Sequence, residues 1–501
     1  MFHSLHPSGL TFKITLAWIL PIMILAGCRP VGASLAPEIL QTPSGALPQH
    51  GTQSYPTSQP VAPIAANSTI EIIPTPGKSE LPFIALEVTT STPYSPTITR
   101  ESGEDLLFLA DSNLMHWQPS AERTDLLLSD VWDYAASADA GRIAILQSRK
   151  ITANGSQLFD INIYEPKSGA INSLVNAIPE PLLLSIAPDG RHVTYWDRHS
   201  GGVVKILQVN NPTQPIQPGN CASSMEANCQ QLLWSPDGRE LLWSDSRGIW
   251  VSKNSQAARL AVSGAVQFTD PHGNQSEVKV IYRPIDWSPE GRFILAEAIP
   301  SATGVHWLAV LDIRTGQAFE LPYTFSNLGQ EIPSWAATWL NDGKLALIYN
   351  DLETPEKYPR IRLYKVMPTN QEFIVLDREM QIFETEFMLS ATDHPGNIYS
   401  PAWLDQTGPE VVSFALIPSE PVTPPVLVSL NYKKDTIGVL HTLPDDTTDV
   451  VWSQNNTDAI VLGEHSRVFW APTEPGPLLD LHSLFGADFR EFLWIENLVL
   501  P

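Results

Sequence analysis

Basic residues are scarce in this sequence: 30 lysines and arginines stand against 54 aspartates and glutamates, a formal charge of −24 over 501 residues. So acidic a surface repels phosphate backbones and anionic headgroups, which argues against nucleic acid as a partner. Charged residues of either sign make up only 17% of the chain while 43% of it is hydrophobic, so the bulk can bury a core. Cysteine is also rare, with Cys28, Cys221 and Cys229 the only three, which excludes a small disulfide-dense scaffold. Catalytic signatures are missing. No G-x-S-x-G elbow, H-E-x-x-H pair, phosphate loop or dinucleotide glycine fingerprint occurs, so no catalytic, cofactor-binding or metal-ligating residue is assigned. The His192 and His199 pair flanking Asp197 has no second pair at ligand spacing. Asp445 and Asp446 read as turn chemistry.

Proline is abundant, at 44 residues. Many of them fall between residues 28 and 102, where Pro, Ser, Thr, Ala and Gln dominate and no helical or alternating period persists. A stretch of that composition cannot offset its ordering entropy by burying apolar surface, so it is expected to be a disordered, extended stalk. The aliphatic patches at Ile70–Ile73 and Leu81–Val88 are its exceptions and could dock as stray strands.

Ahead of that stalk lies one long apolar run, Ile14 to Ala26, preceded by a polar start carrying Lys13. It is shorter than the roughly 20 residues of a membrane helix and suits a signal-peptide core over residues 1–27. The run ends in Leu25-Ala26-Gly27-Cys28, which resembles the bacterial lipobox. That resemblance implies a diacylglycerol on the Cys28 thiol, cleavage before it, and a protein tethered to a membrane of the bacterial cell envelope, facing away from the cytoplasm. Several acyl chains on one residue give an anchoring that a single chain cannot. Arg29 follows the cysteine in place of the aspartate that retains enteric lipoproteins at the inner membrane.

The remaining residues, 103–501, carry a recurring phrase. It reads IAPDGRHVTYW from Ile186, WSPDGRELLW from Trp234, WSPEGRFILA from Trp287 and WLNDGKLALI from Trp339, with weaker versions at Ala136, Trp403 and Trp452. The glycines Gly141, Gly190, Gly238, Gly291 and Gly343 recur about every 50 residues, which is the period of propeller blades. In Ser235-Pro236-Asp237-Gly238 the residue types suit a type I turn followed by a left-handed residue, so a strand ends at Trp234 and another starts at Arg239. Two more strands follow around a second tight turn, clearest where Arg314–Gln317 separates Leu308–Ile313 from Ala318–Leu321. Such a four-stranded antiparallel unit is apolar on both faces and must pack against copies of itself in a ring.

The W-S-P-D-G-(R/K) phrase, followed by alternating apolar residues and D-x-x-(T/S)-G, resembles the TolB-like, WD-repeat-related propeller repeat. The same repeat occurs in the propeller domains of prolyl oligopeptidases and dipeptidyl peptidases. The resemblance implies an all-β propeller and transfers no function, because the phrase is a structural corner. The hydrolase domain that such peptidases carry after the propeller has no counterpart in this sequence. Asp105–Leu128 supplies three strands with no phrase before them, and Phe489–Glu496 reads as a lone strand at the other end. Eight blades result if the last strand completes the first blade, and seven if one weak unit is an insertion. The phrase tryptophans are expected to pack between blades.

Cys221 and Cys229 frame one connection and, outside the cytoplasm, are expected to form a disulfide stapling a surface loop. Two function classes stand at this point. One is a noncatalytic binding or scaffold module that recognises a protein, peptide or glycan with its loops; the other is a hydrolase or lyase with residues dispersed over the blades. The long connections at Ile299–Val305, Asn350–Arg360, Glu379–Ile398 and Pro418–Pro425 are the candidate recognition loops.

Overall fold

The computed structural model describes residues 104–498 apart from positions 122, 150–156, 180, 222–228, 270–274, 302–304, 323, 325, 328–334, 351–358, 368–372, 382–398, 419–423, 454–457, 474–475, 482–488 and 497. The signal segment, Cys28 and the stalk, with its patches at 70–73 and 81–88, therefore lie outside the described residues.

The Ser-Pro-Asp-Gly corner shows how the repeat makes a blade. Gly238 sits at φ 68°, where a side chain would be strained, and its N–H donates to the Ser235 carbonyl at 2.8 Å. The Ser235 hydroxyl donates to Asp237 at 2.7 Å and accepts the Glu240 N–H at 2.9 Å. Strand Gln230–Trp234 is thereby folded back on Glu240–Asp245 in a fixed register, with Trp234 opposite Leu241.

Eight sheets follow from this rule. Blade 1 is built from Glu104–Ala110, Asn113–Gln118 and Arg123–Leu128 with the C-terminal strand Phe489–Glu496 added beside the first. Blades 2 to 8 open with the strands Val131–Ala136, Leu182–Ile186, Gln230–Trp234, Gln275–Trp287, Trp335–Trp339, Tyr399–Gly408 and Thr447–Trp452. These opening strands stand side by side from blade to blade. Eight apolar clusters fill the spaces between successive blades, the last joining blade 8 to blade 1 through Trp470, Trp117, Phe108 and Phe492. One cluster per neighbouring pair closes the ring at eight blades, not seven.

The phrase tryptophans pack between blades as expected. Trp234, Trp287, Trp339 and Trp452 are each 7% exposed or less. Some also tie adjacent blades by hydrogen bonds: the Trp287 indole N–H donates to the Leu233 carbonyl at 3.4 Å, Trp494 to Val451 at 3.1 Å, and Trp452 to Trp403.

Three departures from the repeat appear. In blade 7 the opening strand does not stop at Trp403 but runs on to Gly408, and the corner falls at Pro409 and Glu410, because Trp403 occupies a bulge at φ 54° and shifts the frame. Blade 5 has six strands in its sheet: Gln275–Trp287 is long enough to pair first with Ala265–Thr269 and then with Phe293–Pro300, and Ser326–Asn327 pairs with the start of Val305–Asp312. The innermost strand is bulged in seven blades, all but blade 6, and in four of them a left-handed non-glycine residue occupies the bulge: Glu491 in blade 1, Leu183 in blade 3, Gln231 in blade 4 and Trp403 in blade 7.

Candidate functional site

The sequence-predicted residues are scattered by the fold. Cys221 and Cys229 are brought together, with sulfurs 2.10 Å apart and Cα atoms 5.4 Å apart. The loop that the pair was expected to staple falls at residues outside the description. Both are buried among Trp196, Trp234 and Trp243 in the cluster between blades 3 and 4, and only the intervening residues 222–228 lie outside the description. His192 and His199 do not converge on Asp197, whose carboxylate is taken by Lys205 at 2.6 Å and the Ser200 hydroxyl at 2.7 Å. His192 instead stacks on Trp234, with ring centres 5.7 Å apart, and burial lowers its pKa. Asp446 accepts from Arg467 at 2.8 Å. No group of His, Cys, Asp or Glu suited to a metal occurs among the described residues. No described helix is long and apolar enough to cross a membrane. Of the four candidate recognition loops, the central residues 302–304, 351–358, 382–398 and 419–423 lie outside the described residues.

What the described residues offer is a groove of about 740 Å³ where blades 4 and 5 meet. Its origin is local. The last strand of blade 4, Arg259–Ser263, is short, and the chain passes through Gly264 straight into strand Ala265–Thr269, which pairs back on Gln275–Lys279 with Val266 opposite Val278. In the third strand of blade 5 the side chains alternate: Leu308 and Val310 enter the core toward blade 6, while Trp307, Ala309 and Leu311 face blade 4. The core between blades 4 and 5 thus forms the floor, through Val262, Val280 and Tyr282, and the outer rows form walls from Val266, Val278 and Trp307.

The lining of this groove is mostly aliphatic and aromatic, and among the described residues its polar side chains are Ser263, Gln267 and one acid, Glu320. Burial pushes the Tyr282 phenol up to about 12, and the Glu320 carboxylate adds to that. Val266 is 38% exposed on strand Ala265–Thr269, a strand that has no partner on its outer edge among the described residues. An edge without Lys or Pro, beside an apolar trough, is one that another chain can extend. Sequence reasoning did not find it, because RLAVSGAVQFT and VKVIYRPI carry no chemical motif. The one signal was Gly264 interrupting a β-favouring run.

No family model matches the chain, and no curated protein does. Solved structures do resemble it. TolB from Acinetobacter baumannii aligns with a TM-score of 0.31 and 13% identity over 52% of this chain and 60% of its own. Dipeptidyl peptidase 4 of Porphyromonas gingivalis gives 0.45 and 13%, over 74% of this chain and 56% of its own. The periplasmic gluconolactonase PpgL of Pseudomonas aeruginosa gives 0.39 and 12%, over 79% and 99%. This chain spans less than two thirds of the first two proteins. The likeness is one of fold and extends to no ligand or reaction.

Proposed function

We propose that the protein is exported, held to a membrane of the cell envelope by lipid on Cys28, and works as a noncatalytic binding module for an extended peptide segment of another protein. The Leu25-Ala26-Gly27-Cys28 sequence supports the anchor. Cys28→Ser is expected to abolish labelling by a fatty-acid probe and to release the protein from the membrane fraction. Unchanged labelling would overturn the anchor.

The observation that carries the binding reading is the groove between blades 4 and 5. Its volume lies in the range of ligand sites, roughly 300–1,000 Å³. A glycan would want several convergent polar groups, whereas this lining is dominated by valine, alanine and tryptophan. A peptide strand laid along Ala265–Thr269 would gain main-chain hydrogen bonds from the open edge and bury every second side chain in the trough. Glu320 and the acidic surface favour a segment carrying a cation.

Short synthetic peptides alternating apolar and polar residues, with and without one lysine, provide the test by calorimetry. Trp307→Ala removes the largest wall and is expected to weaken binding by about 30-fold, the size of a 2 kcal/mol anchor. Glu320→Gln is expected to cost the lysine peptide a few-fold and the neutral peptide nothing. Equal affinity for the parent protein and Trp307→Ala would refute the groove as the site.

A further inference from the structure

The strand that closes the ring does so with an unusual set of side chains. Phe489–Glu496 is the innermost strand of blade 1, and its face toward blade 2 meets Trp132, Asp133 and Tyr134. Arg490 donates to the Trp132 carbonyl at 3.1 Å and lies over the Trp132 ring at 5.3 Å. The Tyr134 hydroxyl reaches the Glu491 carbonyl at 2.6 Å and the Leu107 carbonyl at 2.9 Å, so one phenol spans both strands of the closure. Between these ties lie the Asp133 and Glu491 carboxyls, both partly buried, with the Glu491 Oε2 oxygen enclosed and no hydrogen-bond donor against it, and the two groups close enough to shift each other's ionisation. Glu491 stands three residues before Trp494 in the left-handed bulge at φ 55°, and Asp133 holds the same place before Ala136, with its carboxylate capping the Tyr134 N–H at 2.7 Å.

Two carboxyls so placed resist carrying charge together near neutral pH, because both are partly desolvated and the charge on one raises the cost of ionising the other. A carboxylate has acceptors only, so a hydrogen bond between the two requires a proton on one of them.

We propose that the seam between blades 1 and 2 is fastened by a proton held between Asp133 and Glu491, which makes closure of the ring sensitive to pH and labile to alkali. The charged and titratable groups facing the pair are Arg490, which favours ionisation of both acids, and Tyr134, whose own ionisation they suppress. Asp449 occupies the equivalent place on the opening strand of blade 8 and caps its own Val450 N–H at 2.8 Å. Burial raises both carboxyls of the pair, Asp133 to about 6 and Glu491, which also feels the Asp133 charge, to about 8. An acid whose folded pKa lies above its unfolded value stabilises the fold fully below the unfolded value and loses that contribution as pH rises through the folded one. The stabilisation is therefore present near pH 4, declines as Asp133 ionises, and is gone above about pH 8.

The protein is expected to melt on the order of 5 °C lower at pH 9 than at pH 5.5. Much of that difference should vanish in Glu491→Gln, whose amide stays neutral and still donates to Asp133. Asp133→Asn provides the reciprocal variant. A readout in the unaltered protein stands beside them: amide protection in Phe489–Glu496 should fall with pH relative to protection in Phe293–Pro300 of blade 5. Protection that changes equally in the two strands, or Glu491→Gln melting with the parent's pH dependence, would overturn the proposal.

Discussion

A chain cut before Asp488 is expected to lose the cooperative fold altogether. The cut removes the closing strand Phe489–Glu496, which pairs with Glu104–Ala110 from Ala110 opposite Phe489 to Glu104 opposite Glu496. Phe489, Phe492, Trp494, Ile495 and Leu498 are each 9% exposed or less, and burying five such side chains contributes on the order of 10 kcal/mol. That is comparable with the whole stability of an ordinary domain, about 5–15 kcal/mol. The damage spreads to both neighbours. The partners left uncovered include Leu106, Phe108, Trp117 and Trp470 toward blade 8 and Leu107 and Tyr134 toward blade 2, since the strand belongs to both clusters. Asp105, which accepts the Leu498 N–H at 2.8 Å, loses that donor. Near-ultraviolet circular dichroism and calorimetry should show no single transition near the parent melting temperature. Trp494→Ala is the milder arm, expected to cost about 3–5 kcal/mol from the lost ring alone. A truncated chain that melts cooperatively at the parent temperature would show that blade 1 needs no fourth strand.

That closing strand is legible in the amino-acid sequence, and the reason is physical. A corner such as Ser235–Gly238 is set by its own side chains and one glycine at positive φ, so its signature is local and survives repetition. Counting corners phases the strands, and the phasing leaves three strands unmatched at one end and one at the other. The bulges are not legible. Leu183, Gln231, Trp403 and Glu491 adopt positive φ with no residue type in common, so no side-chain chemistry marks the bulge in the sequence. At Trp403 the bulge displaces the corner to Pro409, where a reading by phrase alone places it too early. The depth of the Cys221–Cys229 pair is hidden for a related reason. Spacing fixes which cysteines can meet, whereas burial among Trp196 and Trp243 depends on two blades arriving together. The groove is the least legible feature, since Gln275–Trp287 reads as one strand whether it has one neighbour along its length or two in succession.

Gly248→Ala is expected to be the most damaging single methyl in the protein's fourth blade, and to damage the groove with it. Gly248 opens strand Gly248–Lys253 at φ 131°, a conformation that side-chain-bearing residues rarely adopt. A Cβ placed there would stand 2.1 Å from the Val262 carbonyl oxygen and 2.7 Å from the Gly264 nitrogen. Both are backbone atoms, so no rotamer change relieves the clash. Val262 pairs with Ile249 in the same sheet and forms part of the groove floor, and Gly264 begins the passage into the edge strand. Strain at such a φ and overpacking together cost on the order of 3–5 kcal/mol. Gly201→Ala provides the contrast: its φ is 82°, but nothing lies within 4 Å of the added carbon, so the backbone term stands alone at about 1 kcal/mol. Chemical denaturation should separate the two variants clearly. The same pair separates stability from recognition. To admit the methyl, strand Arg259–Ser263 must withdraw from Gly248 and carry Val262 away from Val280 and Tyr282, so Gly248→Ala that still folds at low temperature should bind the alternating peptides more weakly. Gly201→Ala, in blade 3, should bind them as the parent does. Peptide affinity preserved in a folded Gly248→Ala would mean that the floor built from Val262 is not where the peptide rests.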